Sequence, residues 1–217
     1  MIDGAMEHED SHGHKGSLRS GDVQWMTAGS GVIHSETPAR EILERGGHMH
    51  GFQIWINLPR ELKMTRARYQ EYASDRLPVV SGGGRWIRVI AGDVDGVKSP
   101  IETTHPSTLL HVKLEPAIAT ELAIAPGSNA IVHVVAGSGI VEETDVREHE
   151  VALLENAPEK LRLGAGPRGF EALVLAGVPL HEPVARHGPF VMNTREELQQ
   201  AVADLQAGRF GEIAREN

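Results

Sequence analysis

The stretch from Gly21 to Glu36, GDVQWMTAGSGVIHSE, constrains the fold of this chain most, because turn residues divide it into short pieces. A turn signal at Gly21-Asp22 precedes an apolar run, Val23 to Met26, and a second turn signal follows at Ala28 to Gly31. This order predicts a strand, a tight loop and another strand. Turn signals recur at similarly short intervals between Gly4 and Ser35, which is typical of a small barrel or sandwich.

The end of that stretch, His34-Ser35-Glu36, carries the chemistry. On a strand alternate side chains share a face, so an imidazole and a carboxylate two residues apart point into the same space, about 7 Å apart along the strand. Imidazole and carboxylate ligation without thiolate suits Fe(II), Mn(II) or Ni(II). The alternative is a hydrogen-bonded His/Glu pair inside a barrel, with no metal.

Length and composition restrict the classes of protein. At 217 residues the chain can bury a sizeable core, in one large all-β domain or two small ones. It has no cysteine, which excludes disulfides, zinc fingers and iron–sulfur clusters and is compatible with a reducing cytoplasm. The formal net charge of −9 disfavours direct binding to nucleic acid, and no apolar run is long enough for a membrane helix.

Further along the chain, alternation predicts a long strand from His48 to Leu58, and the glycine run in Ser81–Gly84 predicts a linker. Gly137-Ser138-Gly139 predicts a hairpin turn. The segments that then read as strands of a second barrel are Trp86–Ala91, Leu109–Leu114, Ile131–Val135, Gly139–Glu143, Val151–Glu155, Lys160–Gly164 and Phe170–Leu175.

The tail changes to helical periodicity. Thr194 followed by Glu197 is the pattern of a capping box, and Leu198, Val202 and Leu205 recur at helical spacing. Gly208 predicts a left-handed stop. The sequence therefore predicts one C-terminal helix.

Several segments together resemble the pirins, a branch of the cupin superfamily, and they keep the family's order and spacing. The stretch from Gly21 to Glu36 resembles the second metal motif of that family. The other matching segments are Gly4 to Gly16 (GAMEHEDSHGHKG), His50 with GFQIWINLP, Lys63-Met64, and AGVPLHEPVARHGPFVMNT near the C-terminus.

The resemblance implies an all-β fold of two cupin-type barrels, a bicupin, with a short C-terminal helix. The expected ranges are 1–80 for an N-terminal metal-type barrel, 81–180 for a C-terminal barrel, and 181–217 for a strap and helix that pack back on the first barrel. Pirins hold iron through three histidines and one glutamate, and His34 and Glu36 fall on two of those positions.

The family's other two ligands, a His-x-His pair, belong to a strand that would precede Met1. The first barrel is therefore expected to be incomplete at its N-terminus, through a late start codon, the choice of expressed segment, or loss in evolution. Two other pairs, His12/His14 and His48/His50, could substitute, although both align with loop or strand-start positions of the family. His8 is expected to face water or the partner sheet.

The resemblance implies an Fe(II)-dependent (or other divalent-metal) dioxygenase that opens the ring of a flavonol such as quercetin, with Glu36 both a metal ligand and the catalytic acceptor of the flavonol proton. With half of the ligand set, the site is expected to be weak or empty and activity low. The alternatives are a metal- or redox-dependent regulatory protein that binds transcription factors or metabolic enzymes, and a metal-free β scaffold. The expected location is the cytoplasm, without direct binding to nucleic acid or membrane.

Overall fold

The computed structural model describes residues 1–213, which divide into two compact units. Of the described residues, one unit comprises Met1–Ser74 with residues 181–213, and the other comprises Asp75–Leu180. The units divide between Ser74 and Asp75 and between Leu180 and His181, and residues 80 and 81 lie together in the strand Val79–Gly82. None of the helices among residues 1–213 has the length and apolar character that crossing a membrane requires.

Short antiparallel strands make up the N-terminal part of the first unit. β1 lies between β2 and β4 in a three-stranded sheet, and β3 pairs with β5 separately. A short helix, α1, follows β4. The bounds are Ala5–Asp10 for β1, Lys15–Arg19 for β2, Val23–Thr27 for β3, His34–Pro38 for β4, Arg40–Arg45 for α1 and Arg68–Tyr72 for β5.

The predicted strand from His48 to Leu58 is wrong. Only His50 forms a bridge, to Asp3, and within residues 1–213 no backbone hydrogen bond involves Gln53–Leu58. The alternation of apolar and polar residues is present, but a strand also needs a neighbour to complete its hydrogen-bond ladder. Among the described residues, Gln53–Leu58 have no such neighbour.

The second unit is built on one eight-stranded antiparallel sheet, in which β13, β12, β15, β10, β7 and β6 are neighbours in that order, β11 pairs with β15, and β14 pairs with β12. β8 and β9 form a separate hairpin. The bounds are Val79–Gly82 for β6, Arg85–Ala91 for β7, Asp93–Val94 for β8, Val97–Lys98 for β9, Ser107–Leu114 for β10, Ala119–Ala123 for β11, Asn129–Val141 for β12, Thr144–Arg147 for β13, Val151–Leu154 for β14 and Lys160–Gly177 for β15.

One face of this sheet forms the core of the unit. Ile87, Leu110, Val132 and Val174, from four different strands, are completely or almost completely excluded from solvent. Burial of side chains of this size stabilises the fold by about 1.5–3 kcal/mol each. These buried side chains join the four strands in one core.

Two glycine-rich segments of the second unit differ from the prediction. The glycines of Ser81–Gly84 close the hairpin between β6 and β7, with Gly82 paired to Arg85, so they are not a linker. Gly137-Ser138-Gly139 lies within β12, where the register shifts, so it is a β-bulge and not a hairpin turn. A Cβ at Gly137 would lie 2.3 Å from the carbonyl oxygen of Gly169 across the sheet.

The C-terminal segment returns to the first unit as a hairpin and a helix: β16 (Ala185–His187), β17 (Phe190–Met192) and α2 (Arg195–Gln206). The predicted capping box is confirmed, because the Thr194 side chain accepts a hydrogen bond from the Glu197 amide while Glu197 caps the Thr194 amide. Gly208 is left-handed, as predicted. The predicted all-β class with a short C-terminal helix is also confirmed.

Candidate metal centre

His34 and Glu36 both lie on β4 and turn towards each other. His34 Nδ1 is 3.7 Å from Glu36 Oε1, and the two side chains are 31% and 27% exposed. Asp10 and His8 on β1 lie directly opposite them, and directly opposed residues point to the same face of a sheet. Both β1 residues are buried, so the His34/Glu36 pair lies at the accessible end of an otherwise enclosed face.

The distance between the two groups suits one shared ion. Imidazole and carboxylate ligands bind first-row divalent metals at about 2.0–2.2 Å, so two ligands of one ion lie about 3–4.3 Å apart. However, residues 1–213 contain no group of three or more His, Asp and Glu side chains that could hold a metal. The described residues thus bring two potential ligands together, and an ion bound there would need further ligands for its remaining positions.

Gln53 orients the carboxylate of this pair. Its side-chain amide donates a 3.0 Å hydrogen bond to Glu36 Oε2, which leaves Oε1 to face His34. Metal-binding carboxylates are commonly held by a partner of this kind, which fixes the direction of the free oxygen. Gln53 belongs to the segment that does not form the predicted strand. Its side chain nevertheless reaches Glu36 in the candidate site.

His8 is at the centre of a buried polar network that the sequence reading missed. The Gln24 amide donates to His8 Nδ1 at 3.0 Å and to Glu71 Oε1 at 2.9 Å. His8 Nε2 lies 2.9 Å from Glu71 Oε1, but the alignment is too poor for a hydrogen bond. Of the two expected orientations of His8, towards water or towards the partner sheet, the structure shows the second, because only 6% of the residue is exposed and its contacts are with β3 and β5.

Gly16, opposite His8 on β2, makes this network possible. A Cβ at position 16 would lie 2.5 Å from His8 Nε2 and 3.0 Å from Glu71 Oε2. Contacts so short are essentially never tolerated, and His8 has little room to retreat. The absence of a side chain at Gly16 is a signal that sequence reading could have used to place His8 inward.

Carboxylates surround Tyr69, on β5. Burial, and then the neighbouring carboxylates of Asp10, Glu36 and Glu71, raise the pKa of the Tyr69 phenol well above its ordinary value. Such a concentration of negative charge favours a bound cation and opposes the entry of an anion. It is consistent with a cation site at His34 and Glu36.

The two alternative histidine pairs do not complete the site. His14 Nδ1 lies 2.9 Å from Asp10 Oδ2, and His48 Nδ1 lies 3.0 Å from Asp3 Oδ2. Their side chains are 55% and 73% exposed. Since the described residues contain no cluster of three potential ligands, neither pair joins His34 and Glu36.

Comparisons with known proteins agree on one family. The family model described as Pirin matches residues 1–56, and the model described as Pirin C-terminal cupin domain matches residues 109–211. Human Pirin is 36% identical over 212 residues, which is 96% of this chain and 71% of the human protein. Pirin-1 of Arabidopsis thaliana is 37% identical over 218 residues, which is 97% of this chain and 73% of the plant protein.

Solved structures give the same result. A structure described as quercetin 2,3-dioxygenase from Acinetobacter baumannii superposes with a TM-score of 0.89 at 35% identity, over 98% of this chain and 75% of that one. A second structure of that description and organism gives a TM-score of 0.88 at 26% identity, over 98% of this chain and 70% of that one. The predicted bicupin fold and family are thus confirmed: the chain belongs to the pirin family of cupin proteins.

Proposed function

We propose that this chain is a metal-dependent dioxygenase of low activity that opens the ring of a flavonol-type substrate, with His34 and Glu36 as its metal ligands. The observation that supports this most directly is the approach of His34 Nδ1 to within 3.7 Å of Glu36 Oε1 in a chain similar to proteins described as quercetin 2,3-dioxygenase. Fe(II) is the proposed metal, because mixed imidazole and carboxylate ligands without sulfur suit it. When bound, such an ion supplies the Lewis acidity and redox chemistry that ring opening with O₂ requires.

Each residue of the candidate site has a defined part in this proposal. His34 Nδ1 and Glu36 Oε1 bind the cation, while Gln53 keeps Glu36 Oε2 occupied. Glu36 is also the proposed proton acceptor for the flavonol hydroxyl, since a carboxylate in contact with the substrate can act as a general base. Because Asp10 and Glu71 add negative charge nearby, a neutral flavonol is favoured over a phenolate as the form that enters.

The small number of protein ligands in this proposal determines how tightly the metal is held. With two protein ligands, most of the coordination shell is left to water, so the ion exchanges readily and is lost to competing chelators. Low occupancy limits turnover at ordinary metal concentrations. We therefore propose that activity increases with added Fe(II) and falls on dialysis.

The experiment combines metal analysis with aerobic turnover of quercetin, with and without added Fe(II), on the parent chain, His34→Ala and His48→Ala. His48 is a matched control, because it is an exposed histidine of the same unit outside the proposed ligand pair. Iron-dependent turnover that is lost in H34A but kept in H48A supports the proposal. Iron binding without turnover favours the regulatory alternative, and equal iron uptake by H34A and the parent contradicts the assignment of His34.

A further inference from the structure

Ile33, the residue before the candidate ligand His34, is held at both of its main-chain groups by Ser11. The Ser11 amide donates a 2.8 Å hydrogen bond to the Ile33 carbonyl oxygen, and the Ile33 amide donates a 3.1 Å bond to Ser11 Oγ. The neighbouring pair is Asp10 opposite His34. Two such bonds between opposed residues are the pattern of an antiparallel ladder, here with a hydroxyl in place of one carbonyl. Ser11 therefore continues the pairing of β1 and β4 by one residue next to His34.

The hydroxyl of Ser11 is in turn held by the turn that follows α2, residues 208–211, which is called the C-terminal turn below. Ser11 Oγ donates a hydrogen bond to the carbonyl oxygen of Phe210, 199 residues further along the chain. A hydroxyl has one proton and two lone pairs. Because the proton is directed at Phe210, the lone pairs are left for the Ile33 amide. The C-terminal turn thus fixes the orientation of the group that holds Ile33.

Two glycines allow the C-terminal turn to come this close. Gly208 and Gly211 have φ values of 70° and 76°, and the Gly211 amide donates to the Gly208 carbonyl oxygen at 3.1 Å. This left-handed region favours glycine. A Cβ at Gly211 would lie 3.1 Å from both Cβ and the carbonyl oxygen of Ser11. The close approach of the turn to Ser11 therefore depends on glycine at position 211.

The ring of Phe210 makes a second contact with the loop that leads into His34, residues 28–33. A Cβ at Gly31 would overlap the Phe210 ring. Phe210 is only 7% exposed, and its ring centre lies 6.0 Å from that of Phe190 on β17. Burial of a side chain of this size stabilises its position by about 1.5–3 kcal/mol. The apolar contact therefore keeps the Phe210 carbonyl beside Ser11.

We infer, on the basis of the metal-binding role proposed above for His34, that Ser11 and Phe210 are positioning residues of the candidate metal centre. They act through Ile33, whose main chain sets the direction in which the His34 side chain leaves β4. A change in that direction moves the imidazole relative to Glu36 Oε1. A ligand already held in the required geometry binds an ion more tightly than one that must first be ordered. The C-terminal turn thereby contributes to the affinity of a site formed by β4.

The first test compares Ser11→Thr with Ser11→Val. Both side chains are β-branched and of nearly equal size, so any strain in the turn is common to them, and only threonine keeps the hydroxyl. Calorimetric titration with Mn(II) alone should give a dissociation constant roughly tenfold higher for S11V than for S11T. Thr194→Ala is the control for a general loosening of the C-terminal segment, since Thr194 caps α2. This variant should bind Mn(II) like the parent. Equal constants for S11V and S11T, or an equal loss in T194A and S11V, overturns the inference.

The second test uses the metal-free chain, so it separates this inference from the proposed function. In S11V the Ile33 amide should exchange its hydrogen at least about tenfold faster than in S11T, because its acceptor is gone. The ring signals of His34, assigned with His34→Ala in a chain carrying ¹⁵N-labelled histidine, should shift in S11V and stay near the parent positions in S11T. Unchanged His34 signals in S11V overturn the positioning role. If these signals shift as expected but the parent binds no Mn(II), the proposed metal site is wrong and the positioning of His34 stands.

Discussion

Gln53 and Glu36 are joined by a 3.0 Å hydrogen bond although one lies on an irregular segment and the other on β4. The bond occupies Glu36 Oε2 and leaves Oε1 directed at His34 Nδ1. A carboxylate with one oxygen held in this way loses less rotational freedom on binding an ion. Gln53, which orients Glu36, is thus a residue of the candidate site that the sequence did not identify together with His34 and Glu36.

Gln53→Ala should weaken metal binding by His34 and Glu36 roughly tenfold or more, which is the usual cost of removing a group that orients a ligand. Gln200→Ala is the control, because Gln200 is an exposed glutamine of α2 that bonds to Asp204 within its own helix, in the part of the chain away from β4 in sequence. Titration with Fe(II) or Mn(II), followed by calorimetry, measures both dissociation constants. Equal constants for Q53A and the parent would contradict the orienting role of Gln53.

Gly16→Ala should destabilise the first unit by about 1–3 kcal/mol, because the added methyl overlaps His8 Nε2 and crowds Glu71. The comparison is Gly164→Ala on β15, where a Cβ meets no atom within 4 Å. That change should be neutral or slightly stabilising. Urea denaturation measures both effects. A G16A variant as stable as G164A would mean that His8 can move away without cost.

The sequence gives a good account of the second unit and an incomplete account of the first. In the second unit the predicted strands have neighbours with which to pair, as Leu109–Leu114 does on both of its edges. The predicted strand at His48–Leu58 was wrong, because periodicity describes the faces of a strand and not whether a neighbouring strand pairs with it. Gln53–Leu58 have no such neighbour among residues 1–213. For His8 the sequence left two orientations open, water or the partner sheet, because the flanking Glu7 and Glu9 also suit a solvated strand. Gly16 across the sheet leaves room for the inward imidazole that the structure shows.

Glu171→Gln should reduce the amount by which the free energy of unfolding falls at acid pH. The hydrogen bond from His111 Nε2 is the largest cause that lowers the pKa of Glu171; burial opposes it, and Lys113 adds to it. A carboxylate whose folded pKa is depressed contributes stability above its unfolded pKa, about 4.3, and loses it as pH falls through the lower folded value. The parent should therefore lose stability more steeply than E171Q below about pH 5. Denaturation at several pH values tests this, and parallel curves would contradict it.

Thr194→Ala should cost about 1 kcal/mol of stability, because the Glu197 amide at the start of α2 loses its acceptor. The expected fall in melting temperature is about 2–4 °C. Thr144→Ala on β13, which is exposed and caps no helix, should change the melting temperature less. Calorimetry of both variants makes the comparison. If the two threonines prove equivalent, the remaining Glu197 bonds to the amides of Asn193 and Thr194 are sufficient to hold the helix start.

β15 is flanked on both sides for most of its 18 residues, by β12 along one edge and by β10 and β11 along the other. An amide in such a strand cannot reach solvent by fraying at an end, since at least one neighbouring strand must detach first. Deuterium labelling should therefore find the slowest-exchanging amides of the second unit around Ala172–Val174, with rates that follow the unfolding of the whole unit. A protease should cut there only after that unfolding. The rate of cleavage within β15 therefore measures how long the native state of the unit persists.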